Sequence, residues 1–186
     1  MILMKRIVAG VVFAVVILGV FASLCISNNN TMTSPSAMQS SSVNTQTQSQ
    51  NQIDVSKLHF YMFGLATCPH CKKMKQLLPE AFGKNSLTYY ELQGNDHNSN
   101  LFSELYSMLG VTGVPVIGIF YDNRLVAIVE GEIPEPSKNV PIIVETAIKE
   151  KGVLFITDKT YLIPLNQTET IKKLENIFMN GEPSEG

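Results

Sequence analysis

The sequence is poor in cysteine, histidine and charge, and it contains no tryptophan. It has three cysteines and three histidines in 186 residues, and only 16% of its side chains are charged. Three cysteines are too few for a disulfide-stapled scaffold. Outside Lys5 and Arg6 the chain carries 12 basic and 16 acidic side chains, a balance of −4. Such a chain lacks the basic surface that binds a phosphate backbone, so we expect no nucleic-acid partner.

Charge is missing altogether from a long stretch near the N-terminus. Ile7 to Ile26 holds only apolar or small residues over 20 positions, the length of a helix that crosses a hydrocarbon core. Lys5 and Arg6 precede this run, and no charged residue follows it before Asp54. By the positive-inside rule, we predict a cytoplasmic N-terminus at 1–6, a transmembrane signal-anchor helix at 7–26, and a catalytic domain on the extracytoplasmic side of the cell membrane.

Two alternatives for this run stay open. Val20-Phe21-Ala22 offers a small-residue cleavage site for a secretory signal, in which case the domain is secreted. Cys25 is a candidate for lipid attachment, although Leu24 before it is larger than the residue that usually precedes a lipidated cysteine. Each alternative still exports the rest of the chain.

Residues 27–53 are almost all Ser, Thr, Asn and Gln, with neither charge nor apolar periodicity. A segment of this kind cannot bury enough apolar surface to offset the entropy of ordering it. We therefore predict a disordered linker, whose average reach as a random coil is about 28 Å.

The remaining chain predicts one folded domain at 54–181, followed by a tail at 182–186. The apolar run at 58–63 indicates a buried strand, and Pro69 suits the first turn of a helix. The other predicted elements are strands at 87–92, 116–121, 125–129, 153–157 and 161–163, helices at 100–109, 138–151 and 168–179, a loop at 94–99, and a three-residue hairpin loop at 122–124.

The chemistry of the sequence is concentrated in Cys68-Pro69-His70-Cys71. Cys68 lies where the helix begins, and there the free backbone N–H groups and the helix dipole favour a thiolate. Cys71 lies one turn further on the core-facing side, so we predict that it is the shielded, resolving thiol and that Cys68 attacks. His70 can favour the thiolate as a cation or as a hydrogen-bond donor, and Pro69 keeps the turn rigid.

Two segments resemble the thioredoxin superfamily. Phe63 to Cys71 resembles the strand, motif and helix start of that superfamily, and Gly113 to Val116 resembles its cis-proline loop. Cys68 and Pro115 are 47 positions apart, close to the thioredoxin spacing. The dipeptide Pro69-His70 is the one found in DsbA-type periplasmic oxidants.

This resemblance covers about residues 57–131, with 168–179 as the closing helix. It implies an α/β fold, a thioredoxin-like three-layer sandwich with a central mixed sheet. It also implies a cis bond before Pro115 and contacts from Val114, Pro115 and Thr67 to the substrate, without a cofactor.

The sequence departs from the thioredoxin pattern at three places. The buried acid expected six residues before the first cysteine is replaced by Met62, which puts a carboxylate proton shuttle in doubt. The expected tryptophan is replaced by Thr67. Residues 132–166 have no counterpart in the minimal fold and are predicted to be an insertion.

Metal-binding interpretations of the motif are weaker than the redox one. A zinc site needs further ligands, and without a second C-x-x-C these must come from His59, His70 or His97. Attachment of haem needs a histidine where the chain has Lys72. Copper carriage by an exported C-x-x-C stays open as an alternative. Because Lys72, Lys73 and Lys75 lie off the apolar face of the helix, we predict that they face solvent. We predict no metal site.

The sequence therefore predicts a thiol–disulfide oxidoreductase that exchanges disulfides with exported proteins and is served by a membrane redox partner. The attacking thiols of DsbA and thioredoxin differ in pKa by about 3.5 units, roughly 4.8 kcal/mol of thiolate stabilisation, which is most of the difference in their potentials. With Pro69-His70 between the thiols we favour an oxidant. The alternatives are a reductase or isomerase fed electrons through the membrane, and a non-enzymatic metal-binding module.

Overall fold

The computed structural model describes residues 53–184 of the chain. The predicted N-terminus at 1–6, the anchor at 7–26 and all but the end of the linker at 27–53 lie outside the described residues. Within 53–184, no helix combines the length and the apolar character needed to cross a membrane.

The described residues form a six-stranded mixed sheet with four α-helices. The strands are β1 (Leu58–Gly64), β2 (Leu87–Glu91), β3 (Val116–Tyr121), β4 (Arg124–Glu130), β5 (Gly152–Ile156) and β6 (Thr160–Pro164), and the helices are α1 (Pro69–Phe82), α2 (Asp96–Leu109), α3 (Pro136–Glu150) and α4 (Thr168–Met179). The strand order is β2-β1-β3-β4-β5-β6. Strand pairs β1–β2 and β4–β5 are parallel, and the other neighbours are antiparallel. The predicted α/β thioredoxin-like fold with a mixed sheet is confirmed.

The helices cover both faces of the sheet, because successive side chains of a buried strand point to opposite faces. Phe60 and Met62 of β1 pack in the cluster that contains buried residues of α1 and α3. Phe63 packs in the other cluster, with buried residues of α2 and α4 such as Leu105 and Phe178. These side chains are almost or completely buried. The sheet is thus the middle layer between two pairs of helices.

Helix α2 begins earlier than the sequence pattern predicted. Asn95 caps it by accepting a hydrogen bond from Asn98 N at 2.8 Å, and Asp96 lies in its first turn, where an acidic side chain is favoured by the helix dipole. The prediction of a loop at 94–99 was therefore wrong for most of its length. His97 belongs to the first turn, and its Nε2 donates to the carbonyl of Asn180 at 2.8 Å.

The hairpin between β3 and β4 has a two-residue loop, so the predicted three-residue loop at 122–124 was wrong. Arg124 is already a strand residue and pairs with Tyr121. Asp122 and Asn123 adopt φ of 52° and 60°, the left-handed conformation that a tight type I′ turn requires.

Residues 132–166 contribute α3, β5 and β6. The parallel pairing of β5 with β4 lengthens the sheet on that side, and α3 packs beside α1. On the opposite side, the segment after α4 lies along β2: Ser184 N donates to Tyr89 O at 2.9 Å, and Glu182 N donates to Asn98 Oδ1 at 2.8 Å. Helix α1 therefore packs against a helix that is distant in sequence, and β2 is bonded to the end of the described chain.

Candidate active site

The two cysteines lie where β1 gives way to α1. Cys68 is the N-cap of α1, and its Sγ accepts a hydrogen bond from Cys71 N at 3.3 Å. Pro69 occupies the first turn of α1. Backbone N–H groups in a first turn have no acceptor within the helix, so the lack of an N–H in proline removes no hydrogen bond there. Both thiols are in the reduced form. The motif therefore folds locally, with one sulfur capping the helix that carries the other.

The two sulfurs differ in exposure. Cys71 is 0% exposed, whereas Cys68 is half-buried. Burial raises the pKa of the Cys71 thiol to about 12, and its hydrogen bond with Cys68 adds to the shift. Cys71 thus keeps its proton at neutral pH. These exposures are what the predicted roles of attacking Cys68 and resolving Cys71 require, and the roles themselves stay a prediction.

The loop before β3 faces the dithiol. The Val114–Pro115 peptide bond is cis, as the resemblance predicted. Cys68 Sγ donates to the carbonyl of Val114 at 3.7 Å. Val114 is half-buried and Pro115 is buried, while Thr67, which directly precedes Cys68 in sequence, is exposed. All three residues predicted to contact substrate therefore lie near the attacking sulfur in sequence or in space.

The conformation of this loop is fixed by Glu130, the last residue of β4. Its Oε1 accepts hydrogen bonds from Thr112 N at 2.8 Å, Gly113 N at 2.7 Å and Thr112 Oγ1 at 3.3 Å. The next amide, Gly131 N, donates to Pro115 O at 2.8 Å. One carboxylate therefore satisfies the backbone donors that precede Val114.

His70 has an ionic partner that the sequence did not indicate. Its Nδ1 lies 2.5 Å from Glu132 Oε1, and Lys73 Nζ donates to the other carboxylate oxygen. Lys73 first, and His70 second, lower the pKa of Glu132. The His70 side chain is 63% exposed and that of Glu132 is 25% exposed. Lys73 is exposed, as predicted, and its ammonium group forms an ion pair with Glu132.

Residues 130–133, which we call the β4 extension, connect the two halves of the site. Glu130 and Gly131 hold the loop before β3, and Glu132 holds His70. Ile133 N then contacts Met74 Sδ of α1 at 3.3 Å. Each residue in turn bonds to one of the two segments that carry the chemistry, so the extension fixes their separation.

Met62, at the position where thioredoxins carry a buried acid, is completely buried among apolar side chains. A different carboxylate lies one strand away. Tyr89 Oη donates to Glu91 Oε2 at 2.8 Å, and Lys75 Nζ lies 4.1 Å from the centre of the Tyr89 ring. Residues Ala66, Tyr89 and Glu91 line a surface cleft of about 580 Å³. The strand pattern of 87–92 gave no signal for this cluster.

Of the three histidines named for a zinc site, His59 and His97 are bonded elsewhere in the fold. His59 Nε2 bonds Thr88 Oγ1 at 2.8 Å, and burial lowers the pKa of this imidazole. His97 bonds the backbone at the end of α4. Within the part of the chain that the structure describes, no three side chains of His, Cys, Asp or Glu form a group that could hold a metal ion.

A glutaredoxin family model matches residues 60–126, about a third of the chain. The match runs from β1 into β4 and includes both cysteines and the loop before β3. These residues form a glutaredoxin-like redox unit. No solved structure and no curated protein matches the chain. The thioredoxin-type fold and the paired thiols support thiol–disulfide oxidoreductase activity. Glu130 lies outside the match, as do Glu132 and the rest of the β4 extension.

Proposed function

We propose that this protein is an extracytoplasmic thiol–disulfide oxidoreductase that introduces disulfides into exported proteins through Cys68 and Cys71. The observation that carries the proposal is the arrangement of the two sulfurs. A half-exposed sulfur caps the helix, its fully buried partner lies one turn away, and the Val114 carbonyl lies beside the exposed one. A substrate thiol therefore has access to Cys68 alone.

The reaction follows from this asymmetry. In the oxidised protein a substrate thiolate attacks Cys68 Sγ, the Cys68–Cys71 bond breaks, and Cys71 leaves and gains a proton. A second thiolate of the same substrate then attacks the substrate sulfur that is bound to Cys68. Cys68 leaves as a thiolate. The substrate loses two electrons and gains a disulfide, and the protein dithiol holds the two electrons. We propose that a membrane redox partner removes them.

Two features favour the oxidant over the reductase. The Cys68 sulfur lies at the positive end of α1 and accepts an N–H bond there, which stabilises a thiolate. His70 in the Pro69-His70 dipeptide adds a group that can carry positive charge. Glu132 places a negative charge beside His70 and offsets part of this effect. We therefore expect a potential between about −270 mV, the value for thioredoxin, and about −120 mV, the value for DsbA.

The location belongs to the same proposal. It rests on the charge-free run from Ile7 to Ile26 behind Lys5 and Arg6, and on the polar segment that follows. An anchored domain on a linker with a reach of about 28 Å meets proteins as they leave the membrane.

The test is a redox titration of the full chain in detergent, with Cys25→Ser in every sample so that only one thiol pair titrates. The fraction of Cys68–Cys71 disulfide is measured by mass spectrometry after alkylation in glutathione buffers. Refolding of a reduced secreted protein is followed in parallel, and Cys68→Ser is the inactive control. A potential above about −200 mV together with disulfide formation in the substrate supports an oxidant. A potential near −270 mV, with reduction of substrate disulfides instead, overturns it in favour of the reductase.

A further inference from the structure

Disulfide exchange requires a route for the proton of Cys71. The thiol is completely buried, and burial holds its pKa far above neutrality. In either direction of the reaction Cys71 must therefore give up or take back a proton. Met62, in the strand below it, is apolar and buried, so the proton has to leave by another route.

The register between β1 and β2 places a carboxylate on the same face as Cys71. Gly64, the last residue of β1, is paired with Glu91, the last residue of β2. Paired residues in neighbouring strands direct their side chains to the same face of a sheet. A Cβ built on Gly64 would lie 3.0 Å from Cys71 Sγ and 3.0 Å from Cε2 of Tyr89. Glu91 thus leaves the sheet on the side that holds Cys71.

Gly64, the strand partner of Glu91, has no side chain, and one placed there would collide with Cys71 and Tyr89. Glu91 is half-buried and lines the surface cleft together with Ala66 and Tyr89. Its two oxygens accept hydrogen bonds from Tyr89 Oη at 2.8 Å and from Gln93 N at 3.0 Å. These bonds hold the carboxylate at the edge of the cleft.

We propose that Glu91 accepts the proton of Cys71 when the mixed disulfide is resolved and returns it in the reverse reaction, acting through water in the cleft. This inference rests on the proposed disulfide exchange at Cys68 and Cys71. In the resolving step, the Cys71 S–H proton passes through water to the Glu91 carboxylate. The Cys71 sulfur then forms a bond to Cys68 Sγ, and the substrate leaves as a thiolate with the electron pair of the broken S–S bond.

The charged and titratable groups around this path leave Glu91 as its acceptor. Tyr89 lies nearest, but burial and its bond to Glu91 raise the pKa of the phenol, so it keeps its proton. Lys75 of α1 lies over the ring of Tyr89 and is a cation. Cys68 is bonded to substrate during this step. Glu182, from the segment after α4, accepts a hydrogen bond from Asn95 and does not line the cleft.

The test uses the full chain with Cys25→Ser, loaded at Cys68 with thionitrobenzoate as a mixed disulfide. Attack by Cys71 releases the coloured thiolate, and its rate is recorded from pH 5 to pH 9. For Glu91→Gln we expect release at pH 6 to be about 100-fold slower, the lower range of a general-base contribution. The difference should shrink toward pH 9, where hydroxide takes the proton. Glu91→Asp should recover part of the rate.

A merely structural or electrostatic role predicts the opposite result. The negative charge of Glu91 is one cause of the raised pKa of Cys71, so neutralising it alone would give more thiolate and faster release. Equal or faster release from Glu91→Gln therefore overturns the proposal. The glutamine of Glu91→Gln can still accept hydrogen bonds from Tyr89 and Gln93. Glu91→Asp keeps the negative charge and serves as a control for folding. Glu182→Gln removes a charge that is bonded to Asn95, a residue of the cleft, and should leave the rate unchanged.

The two hypotheses fail in distinguishable ways. If the wild-type mixed disulfide releases no thionitrobenzoate at any pH, Cys71 does not resolve and the proposed function is wrong. If the wild type releases it and Glu91→Gln does so equally fast, the exchange chemistry stands and only the assignment of Glu91 falls.

Discussion

His70 Nδ1 and Glu132 Oε1 lie 2.5 Å apart although 62 positions separate the two residues in sequence. His70 belongs to the redox motif, and Glu132 is the first residue of the 132–166 segment. The contact therefore connects the glutaredoxin-like unit at 60–126 to a part of the chain outside it. It also gives the 132–166 segment a chemical link to the motif that carries the thiols.

The first prediction concerns the charge of Glu132. Glu132→Gln removes the negative charge that lies beside His70 and leaves more positive potential near Cys68. The thiolate should be stabilised and the disulfide should become more oxidising. Because both side chains are partly exposed, we expect a shift of about 10–30 mV, corresponding to less than about one pKa unit. The measurement is the glutathione redox titration at pH 5.5.

The control for this prediction is a double-mutant cycle with His70→Ala. His70→Ala alone should move the potential toward reducing values, by roughly 30 mV for each unit of thiolate pKa lost. If Glu132 acts through His70, the effect of Glu132→Gln should largely disappear in the His70→Ala background. Glu135→Gln, which removes an exposed carboxylate paired with Lys138, is the matched control. A full Glu132 effect without His70 would contradict the coupling.

The second prediction tests the roles of the two cysteines. Because Cys71 is buried, Cys71→Ser should leave mixed disulfides unresolved on Cys68, and Cys68→Ser should trap almost none. Both variants carry Cys25→Ser. Acid-quenched samples are separated without reductant, and the trapped partners are located by mass spectrometry. Adducts on Cys71 in the Cys68→Ser protein, with none on Cys68 in the other variant, would reverse the assignment.

The local parts of this site could be predicted from the sequence, and the long-range parts could not. The C-x-x-C spacing, Pro69 and the following apolar positions all lie within two helical turns, so they indicate a helix with one thiol at its start and one on its buried face. The start of α2 was predictable too, since Asn95 is a favoured cap residue followed by Asp96.

The acidic residues of the site depend on how strands align. Glu91 reaches the Cys71 face only because the parallel register pairs it with Gly64, and a shift by one residue would turn it to the other face. Glu130 and Glu132 reach the loop before β3 and α1 because β4 lies beside β3 and ends there. No periodicity within 124–132 encodes these partners, so the sequence left them as ordinary surface carboxylates.

The third prediction is a pH dependence of stability. Folding raises the pKa of Cys71 from an ordinary 9.0 to about 12. The native state therefore binds more protons than the unfolded state in this interval, and stability must fall as pH rises. The contribution of Cys71 is complete below about pH 9 and is lost progressively toward pH 12. It should appear as a decreasing free energy of unfolding in urea titrations of the reduced protein.

The comparison that isolates this effect is with Cys71→Ala. Burial also raises the pKa of Tyr90, so both proteins should lose stability at high pH. Only the reduced wild type should show the additional slope that begins near pH 9. Parallel curves for the two proteins across this interval would mean that Cys71 ionises as easily in the folded state as in the unfolded one.

The last prediction tests whether Glu130 affects substrate binding or the redox potential of the dithiol. Its carboxylate oxygen accepts three hydrogen bonds from Thr112 and Gly113, in the segment that leads to Val114. Glu130→Ala leaves those donors without their acceptor and should destabilise the protein by about 2 kcal/mol, within the range for hydrogen bonds to charged groups. The looser loop should raise KM for a protein substrate several-fold. The potential against glutathione should change little, since Glu130 bonds neither sulfur nor His70.

Glu130→Gln keeps one acceptor oxygen and should fall between wild type and Glu130→Ala in both stability and KM. A change in potential as large as that of Glu132→Gln, with KM unaltered, would instead place Glu130 in the electrostatics of the dithiol.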